Sequence, residues 1–152
     1  MQARYGSCDN GPGLIRELTV SGVCVMLARV LIVDDYPIVR RLLRMILETQ
    51  GDWEVVGEAE NGQDAIRMKS ELRPDVIVMD ITMPVMNGLD ATRQIMRSDP
   101  QSNVLILTMH DADAVLGEIK CCGAKGVLNK GQVVDGLTSA LKTILSGETY
   151  FH

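Results

Sequence analysis

The side chains with the clearest chemical potential are three carboxylates, a hydroxyl and an amine, each of which follows a short apolar run. The carboxylates are Asp34, Asp35 and Asp80, the hydroxyl belongs to Thr108 and the amine to Lys130. Three carboxylates held close together repel one another, so either their pKa values rise or a divalent cation binds among them. Oxygen ligands without a nearby His or Cys pair favour Mg²⁺, with Mn²⁺ as the alternative, over zinc.

A hard cation beside a carboxylate and an amine favours phosphoryl-transfer chemistry. Mg²⁺ takes only one or two carboxylates and leaves positions open for a phosphoryl oxygen. A carboxylate can then act as the nucleophile and form an aspartyl phosphate. Lys130 supplies a positive charge for one phosphate oxygen, and the Thr108 hydroxyl can donate a hydrogen bond to another. Because phosphoryl transfer depends mainly on positioning and charge neutralisation, we expect these few groups to suffice.

The elements that must position these groups are five strands, each followed by a helix. Continuous aliphatic runs that alternate with amphipathic helices indicate a doubly wound α/β fold, with a parallel sheet covered on both faces. Functional groups in such sheets lie beyond the carboxyl ends of the strands, so we expect the five side chains to share one edge. The first helix is predicted to run from Pro37 to Gly51, and the apolar stripe of the last helix to begin at Val134. The predicted strands are residues 30–33, 53–57, 75–79, 103–107 and 126–129.

Each of these polar residues also has an ordinary structural explanation when taken alone. Asp34 and Asp35 could cap the helix that follows them, and Asp80 could solvate a loop. Their occurrence together, each at the end of a separate predicted strand, favours a shared site over these explanations.

Composition limits the class of protein. The chain has 152 residues, 46% hydrophobic and 23% charged, which suits one soluble domain with a short appendage. The net charge of −5 argues against nucleic-acid binding by the domain itself. The apolar stretch at residues 18–27 is too short to cross a bilayer, so we expect a cytoplasmic chain that does not contact the membrane. Its four cysteines lack metal-ligand spacing and are expected to be reduced thiols; they are Cys8, Cys24, Cys121 and Cys122.

The chain divides into two parts. Residues 1–27 are expected to form a flexible N-terminal extension, because the first of them are rich in Gly, Asn, Ser and Asp. Residues 28–150 are expected to form the single folded domain.

Four segments resemble the receiver domains of two-component response regulators, over roughly residues 28–150. They are Val-Leu-Ile-Val-Asp-Asp (30–35), Asp-Ile-Thr-Met-Pro-Val-Met-Asn-Gly (80–88), Leu-Ile-Leu-Thr (105–108) and Gly-Ala-Lys-Gly-Val-Leu-Asn-Lys (123–130). The Thr-Met-His at 108–110 and the Ser-Gly-Glu-Thr-Tyr-Phe at 146–151 most resemble the NarL/LuxR-type branch.

The resemblance implies a flavodoxin-like fold with strand order 2-1-3-4-5 and a specific role for each site residue. Asp80 would be phosphorylated by the phosphohistidine of a sensor kinase or a phosphotransfer protein. Mg²⁺ would be held by Asp35, Asp80 and the backbone carbonyl of Thr82, with Asp34 assisting. Thr108 and Lys130 would contact the phosphoryl group, and the face formed by the fourth helix, fifth strand and fifth helix would then change. Such a domain is a phosphoacceptor that catalyses only its own phosphorylation and dephosphorylation, and it can act as a homodimer.

Two positions depart from the family's pattern. Val127 stands where an aromatic residue usually lies, three residues before the lysine, so the face that responds to Thr108 is expected to switch differently. Gly131 replaces a frequent proline. Bulky Met109, next to Thr108, is expected to affect the rate of phosphate hydrolysis.

Other functions fit less well. A flavodoxin-type redox protein would need a phosphate-binding loop where Asp34 and Asp35 place negative charge. A haloacid-dehalogenase-like phosphatase would need a second acid at Thr82. The remaining alternative is a receiver-like interaction module that acts without phosphorylation, which the departure at Val127 keeps open. A NarL-like regulator would carry a DNA-binding domain after such a receiver, so the chain is either a stand-alone receiver or a fragment of a longer regulator.

Overall fold

The computed structural model describes residues 16–20, 23–109 and 111–151. Strands and helices alternate through most of this range, as the apolar pattern predicts. A short 3₁₀ turn, Lys130–Gln132, precedes the last helix. The strands are β1 (Arg16–Val20), β2 (Val23–Val33), β3 (Trp53–Ala59), β4 (Val76–Asp80), β5 (Val104–Thr108), β6 (Gly126–Asn129) and β7 (Tyr150–Phe151); the helices are α1 (Pro37–Gln50), α2 (Gly62–Leu72), α3 (Gly88–Ser98), α4 (Ala112–Cys121) and α5 (Val133–Leu145).

Six of the strands in the described part of the chain form a parallel sheet in the order β3-β2-β4-β5-β6-β7. The five predicted strands correspond to β2 through β6, so the predicted α/β class and the order 2-1-3-4-5 are confirmed. Two strands were not predicted. β7 adds a sixth parallel strand beside β6, and β1 pairs antiparallel with the first part of β2.

The sheet divides the apolar core into two layers, which explains why its strands are aliphatic at every position. Leu31, Ile77 and Ile106 face the layer that includes α2, α3 and α4. Val78 and Leu107, each one residue further along its strand, face α1 and α5. Because successive side chains of a strand point to opposite faces, a strand covered on both sides must be apolar throughout.

Local signals set the helix boundaries. Pro37 is the first residue of α1, and Gly51, with a φ of 76°, ends that helix. The Asn61 side chain accepts a hydrogen bond of 2.9 Å from the backbone N–H of Asp64 at the start of α2. The predicted boundaries of α1 are therefore confirmed.

The prediction that the apolar stripe of α5 begins at Val134 was wrong, because the stripe begins one residue earlier. Val134 is 66% exposed, whereas Val133 is buried and packs beside Leu137. The 3₁₀ turn before α5 sets where the helical face begins, and the apolar stripe then runs at four-residue spacing from Val133.

The N-terminal region is described only in part. Residues 1–15, 21 and 22 lie outside the described residues, so the flexibility expected of the extension and the boundary at residue 28 stay predictions. Arg16–Val20 pairs with residues 23–27 of β2, so part of the predicted N-terminal extension lies in a described strand pair. Cys121 is exposed and Cys122 is buried, and both are free thiols, as expected.

Candidate functional site

The carboxyl ends of β2, β4, β5 and β6 bring the predicted site residues to one edge of the sheet. Asp34 follows β2 directly, whereas Asp80 and Thr108 are the last residues of β4 and β5. Lys130 follows β6 at the start of the 3₁₀ turn. The register pairs Asp80 with Leu107, so Thr108 extends one residue beyond Asp80 on the neighbouring strand.

The three carboxylates converge. Asp34, Asp35 and Asp80 each offer an oxygen that lies within 4.8 Å of an oxygen of the other two. Asp34 is fully buried and Asp80 nearly so, which removes most of the water that would screen their repulsion. Asp35 Oδ1 is also buried and has no hydrogen-bond partner among the described residues. An unpartnered buried carboxylate oxygen beside two other carboxylates fits a hard divalent cation such as Mg²⁺.

Lys130 provides the counter-charge in this cluster. Its Nζ lies 2.6 Å from Asp34 Oδ2 and 3.1 Å from Asp80 Oδ1. The side chain is only 9% exposed, so both ion pairs are shielded from solvent. The amine therefore bridges two of the three acids from the side of β6.

The pKa values of this cluster shift for identifiable reasons. Burial raises the pKa of Asp80 above the ordinary 3.8, and the charge of Asp34 raises it further, against a lowering effect of Lys130. Burial by itself lowers the pKa of Lys130, but its hydrogen bonds and charge interactions with Asp34 and Asp80 outweigh burial and raise it above 10.5. The lysine therefore stays charged, while the ionised Asp80 is held at a cost that a cation would reduce.

Asp34 is oriented by its own loop and by Arg40, a residue that the sequence pattern did not single out. Its Oδ1 accepts a hydrogen bond of 2.9 Å from the backbone N–H of Tyr36, and its backbone carbonyl accepts one of 2.6 Å from Arg40 Nη1. Arg40 also pairs with Glu60 at 3.1 Å. The sequence feature that could have revealed Arg40 is its positive charge near the N-terminus of a helix, where the helix dipole disfavours a cation.

The helix-capping explanation of the two acids does not match the geometry. The N-cap residue of α1 is Tyr36, and no side chain makes a capping hydrogen bond there. Asp34 instead accepts a hydrogen bond from the backbone N–H of Tyr36, while Asp35 contributes a carboxylate oxygen to the acidic cluster. The acids are thus arranged for the site rather than for the helix.

The loop after Asp80 is tightly built. Gly88 N donates a hydrogen bond of 2.8 Å to the carbonyl of Ile81, and a Cβ on Gly88 would collide with the backbone carbonyl of Asp80. Met86 N donates to the Pro84 carbonyl at 2.7 Å, which closes a three-residue turn around Val85. Val85 has a φ of 68°, which a β-branched residue rarely adopts. Only glycine fits at position 88, and the loop stores backbone strain at Val85.

The other predicted site residues lie where the sequence analysis expects them. Thr108 is 1% exposed at the end of β5. Val127 is buried in β6, paired with Ile106 on one side and with Phe151 of β7 on the other. Thr82 lies in the loop two residues after Asp80, and its role as a backbone ligand stays a prediction.

This arrangement suits the capture of a tetrahedral anion on a carboxylate. A buried carboxylate, a shielded amine and two further acids lie at one sheet edge, beside a hydroxyl on the next strand. Such groups neutralise the charge that develops on equatorial phosphoryl oxygens without any rearrangement of the sheet.

Comparisons with known proteins point to one family. The family model for the response regulator receiver domain matches residues 30–142. The transcriptional regulatory protein DegU of Brevibacillus brevis is 36% identical over 124 residues, which cover 82% of this chain and 52% of DegU. The chemotaxis protein CheY of Thermotoga maritima is 41% identical over 118 residues, which cover 75% of this chain and 98% of CheY. The chain thus spans about half the length of DegU and nearly all of CheY.

Solved structures agree with this result. A two-component response regulator of the LuxR family from an Aurantimonas species has a TM-score of 0.78 and 37% identity, over 82% of this chain and 89% of that one. The non-phosphorylated receiver domain of the stress response regulator RcsB from Escherichia coli has a TM-score of 0.76 and 28% identity, over 83% and 98% of the two chains. The resemblance to the NarL/LuxR-type branch is confirmed, and the chain belongs to the response regulator receiver family.

Proposed function

We propose that this receiver domain accepts a phosphoryl group on Asp80 from the phosphohistidine of a sensor kinase or phosphotransfer protein. The observation that carries the proposal is the double contact of Lys130 with Asp34 and Asp80 beside an unpartnered oxygen of Asp35. Burying charged groups is costly. Packing alone therefore gives no reason for three acids and a lysine to lie together in a largely buried position.

In the transfer step, a carboxylate oxygen of Asp80 attacks the donor's phosphorus. A P–O bond forms, the P–N bond to the donor imidazole breaks, and its electron pair returns to the imidazole nitrogen. Lys130 lies close enough to Asp80 to contact an oxygen of the transferred phosphoryl group. We assign the Thr108 hydroxyl as a hydrogen-bond donor to a second phosphoryl oxygen. These residues act as a phosphoacceptor site within a signalling domain, not as a turnover enzyme.

The acidic cluster fits Mg²⁺, or Mn²⁺ in its place. Asp35, Asp80 and the backbone carbonyl of Thr82 would be its protein ligands, with Asp34 assisting. When bound, the cation would offset the carboxylate repulsion and neutralise charge on the phosphoryl oxygens. The support for this assignment is the convergence of the three acids and the unpartnered Asp35 oxygen.

We further propose that Thr108 and Val127 form the switch toward the face of α4, β6 and α5. Both are buried and lie on neighbouring strands, Thr108 on β5 and Val127 on β6. With a small aliphatic residue at 127, the response would pass through packing rather than through rotation of an aromatic ring at that position.

The partners follow from this chemistry. The donor is a protein that carries a phosphohistidine, and the place of action is the cytoplasm. In the described part of the chain, no helix combines the length and apolarity needed to cross a bilayer. DegU is a transcriptional regulatory protein and is longer than this chain. By analogy, we propose that the receiver controls an output carried either by a longer chain or by a separate partner, with a homodimer as one possible assembly.

The direct test is incubation of the chain with a small acyl phosphate and Mg²⁺, followed by intact-mass measurement. The wild type should gain one phosphoryl group that is stable in acid and labile in base. Asp80→Asn should gain none, and chelation of the metal should abolish the gain. The matched control is Asp135→Asn, which removes an exposed carboxylate on α5 and should behave like wild type. No mass gain in the wild type would favour the phosphorylation-independent module instead, and equal labelling of Asp80→Asn and wild type would exclude Asp80 as the acceptor.

A further inference from the structure

Helix α4 has fewer fully buried residues than any other described α-helix, although Ala112, Val115 and Leu116 pack partly buried against the core. Of its ten residues, only Ile119 is fully buried. Gly117 lies in the middle of the helix, and a Cβ built there would meet nothing within 4 Å. The glycine therefore serves no packing requirement, while it lowers helix stability relative to alanine. An element with few buried contacts and a destabilising residue at its centre is suited to movement.

β7 lies at the edge of the sheet between α4 and α5. Tyr150 N donates a hydrogen bond of 2.9 Å to the carbonyl of Lys125, and Tyr150 and Phe151 pair with Gly126 and Val127. The two aromatic side chains pack on opposite faces, Tyr150 with the core layer of α5 and Phe151 with that of α4. A two-residue strand is thus anchored in both layers of the domain.

Phe151 contacts α4 directly. The Nζ of Lys120, in the last turn of α4, lies 5.2 Å from the centroid of the Phe151 ring, within the range of a cation–π interaction. On the other side, Phe151 is the register partner of Val127, which lies between β7 and β5. The Phe151 ring therefore links α4 to β6, the strand that carries the proposed switch residue Val127.

We propose that β7 is a clasp that holds α4 in its resting position through Phe151, and that phosphorylation of Asp80 loosens it. This inference rests on the proposed function, because the phosphoryl group supplies the displacement of α4. The clasp carries that displacement to residues 150–151, the last described residues of the chain. The aromatic side chain missing at Val127 is supplied to the same face by Phe151.

The test is amide hydrogen–deuterium exchange of the full chain with Mg²⁺, with and without beryllofluoride, a mimic of the phosphoryl group. In wild type, the mimic should speed exchange in α4 and in residues 146–151 together. Phe151→Ala should show fast exchange in α4 without the mimic. By linkage, it should also bind beryllofluoride about fivefold more tightly than wild type. Val134→Ala, which trims an exposed apolar side chain on α5, is the control and should leave both readouts unchanged.

The possible failures are distinguishable. If the wild type binds beryllofluoride but exchange in β7 stays the same, the clasp is overturned and the proposed function stands. The clasp is also overturned if Phe151→Ala binds the mimic with wild-type affinity. If the wild type takes up neither the mimic nor a phosphoryl group, the proposed function fails and the clasp's link to it fails as well. Phe151→Leu keeps apolar bulk but removes the aromatic ring. If the ring itself holds α4, this variant should behave like Phe151→Ala.

Discussion

Lys130 lies closer to Asp34 than to Asp80, with Nζ–O distances of 2.6 Å and 3.1 Å. The amine is thus anchored on a residue that we do not expect to be phosphorylated, within reach of the one that we do. When Asp80 gains a phosphoryl group, the negative charge moves outward on that side chain. We propose that the shorter bond to Asp34 then holds the lysine in place, while its longer contact to Asp80 is replaced by a contact to a phosphoryl oxygen.

Replacing Lys130 should destabilise the metal-free protein markedly. Lys130→Met leaves Asp34 and Asp80 buried without their cation, and loss of one partner of a buried pair costs about 3 kcal/mol or more. Urea unfolding in the presence of a chelator measures this loss. Lys142→Met, which breaks an exposed pair with Asp52, should cost less than about 1 kcal/mol. Equal losses for the two variants would contradict the shielded arrangement of Lys130.

Asp80→Asn should stabilise the metal-free protein near neutral pH. The pKa of Asp80 is raised by burial and by Asp34, so its ionised form is disfavoured in the folded state. A group with a raised folded pKa contributes stability that is fully present below its unfolded pKa and is lost as pH rises through the folded value. The advantage of Asp80→Asn should therefore shrink as the pH falls toward 3.8. Unfolding free energies of both proteins over this range test the sign, and an advantage that grows on acidification would refute it.

Asp35→Asn should weaken Mg²⁺ binding more than folding. The Asp35 Oδ1 has no hydrogen-bond partner among the described residues, so its replacement breaks no bond seen there. Losing one charged ligand of a hard cation should lower the Mg²⁺ affinity by about tenfold or more. Titration calorimetry with Mg²⁺ measures the affinity, and thermal unfolding with a chelator reports on the fold. Unaltered Mg²⁺ affinity would exclude Asp35 as a ligand.

Two glycine substitutions should act in opposite directions. Gly88→Ala forces a Cβ into the backbone carbonyl of Asp80 and should cost about 3 kcal/mol. Gly117→Ala meets nothing within 4 Å in the middle of α4 and should stabilise the protein by up to about 1 kcal/mol. Chemical denaturation of the two variants beside wild type checks both signs. Changes of the same sign would show that the surroundings of one glycine differ from those described.

The site could be predicted from the sequence because its residues stand where apolar strands end. Asp34, Asp80 and Thr108 each come at the end of a continuous aliphatic run, and parallel strands bring such ends together. The convergence of Lys130 with Asp34 follows from the same rule, applied to two strands that are not neighbours in the sheet.

Other features depend on contacts that periodicity does not report. β7 has only two residues, too few to show an alternating pattern, and its place depends on the end of α5. The inward residue of α5 is Val133 rather than Val134, because a 3₁₀ turn sets the phase of the helix. Arg40 reaches back to the carbonyl of Asp34, a contact that depends on the entry angle of α1. The positive φ of Val85 runs against the preference of its residue type.

The proposed function depends most directly on which residue carries the phosphoryl group. Reduction of the acyl phosphate with tritiated borohydride, followed by peptide mapping, converts a phosphorylated aspartate into a labelled homoserine at its own position. Labelling after treatment with an acyl phosphate and Mg²⁺ should be found at position 80 alone and should disappear in the presence of a chelator. Label at Asp34 or Asp35, or none at any aspartate of a folded, Mg²⁺-loaded chain, would contradict the proposed function.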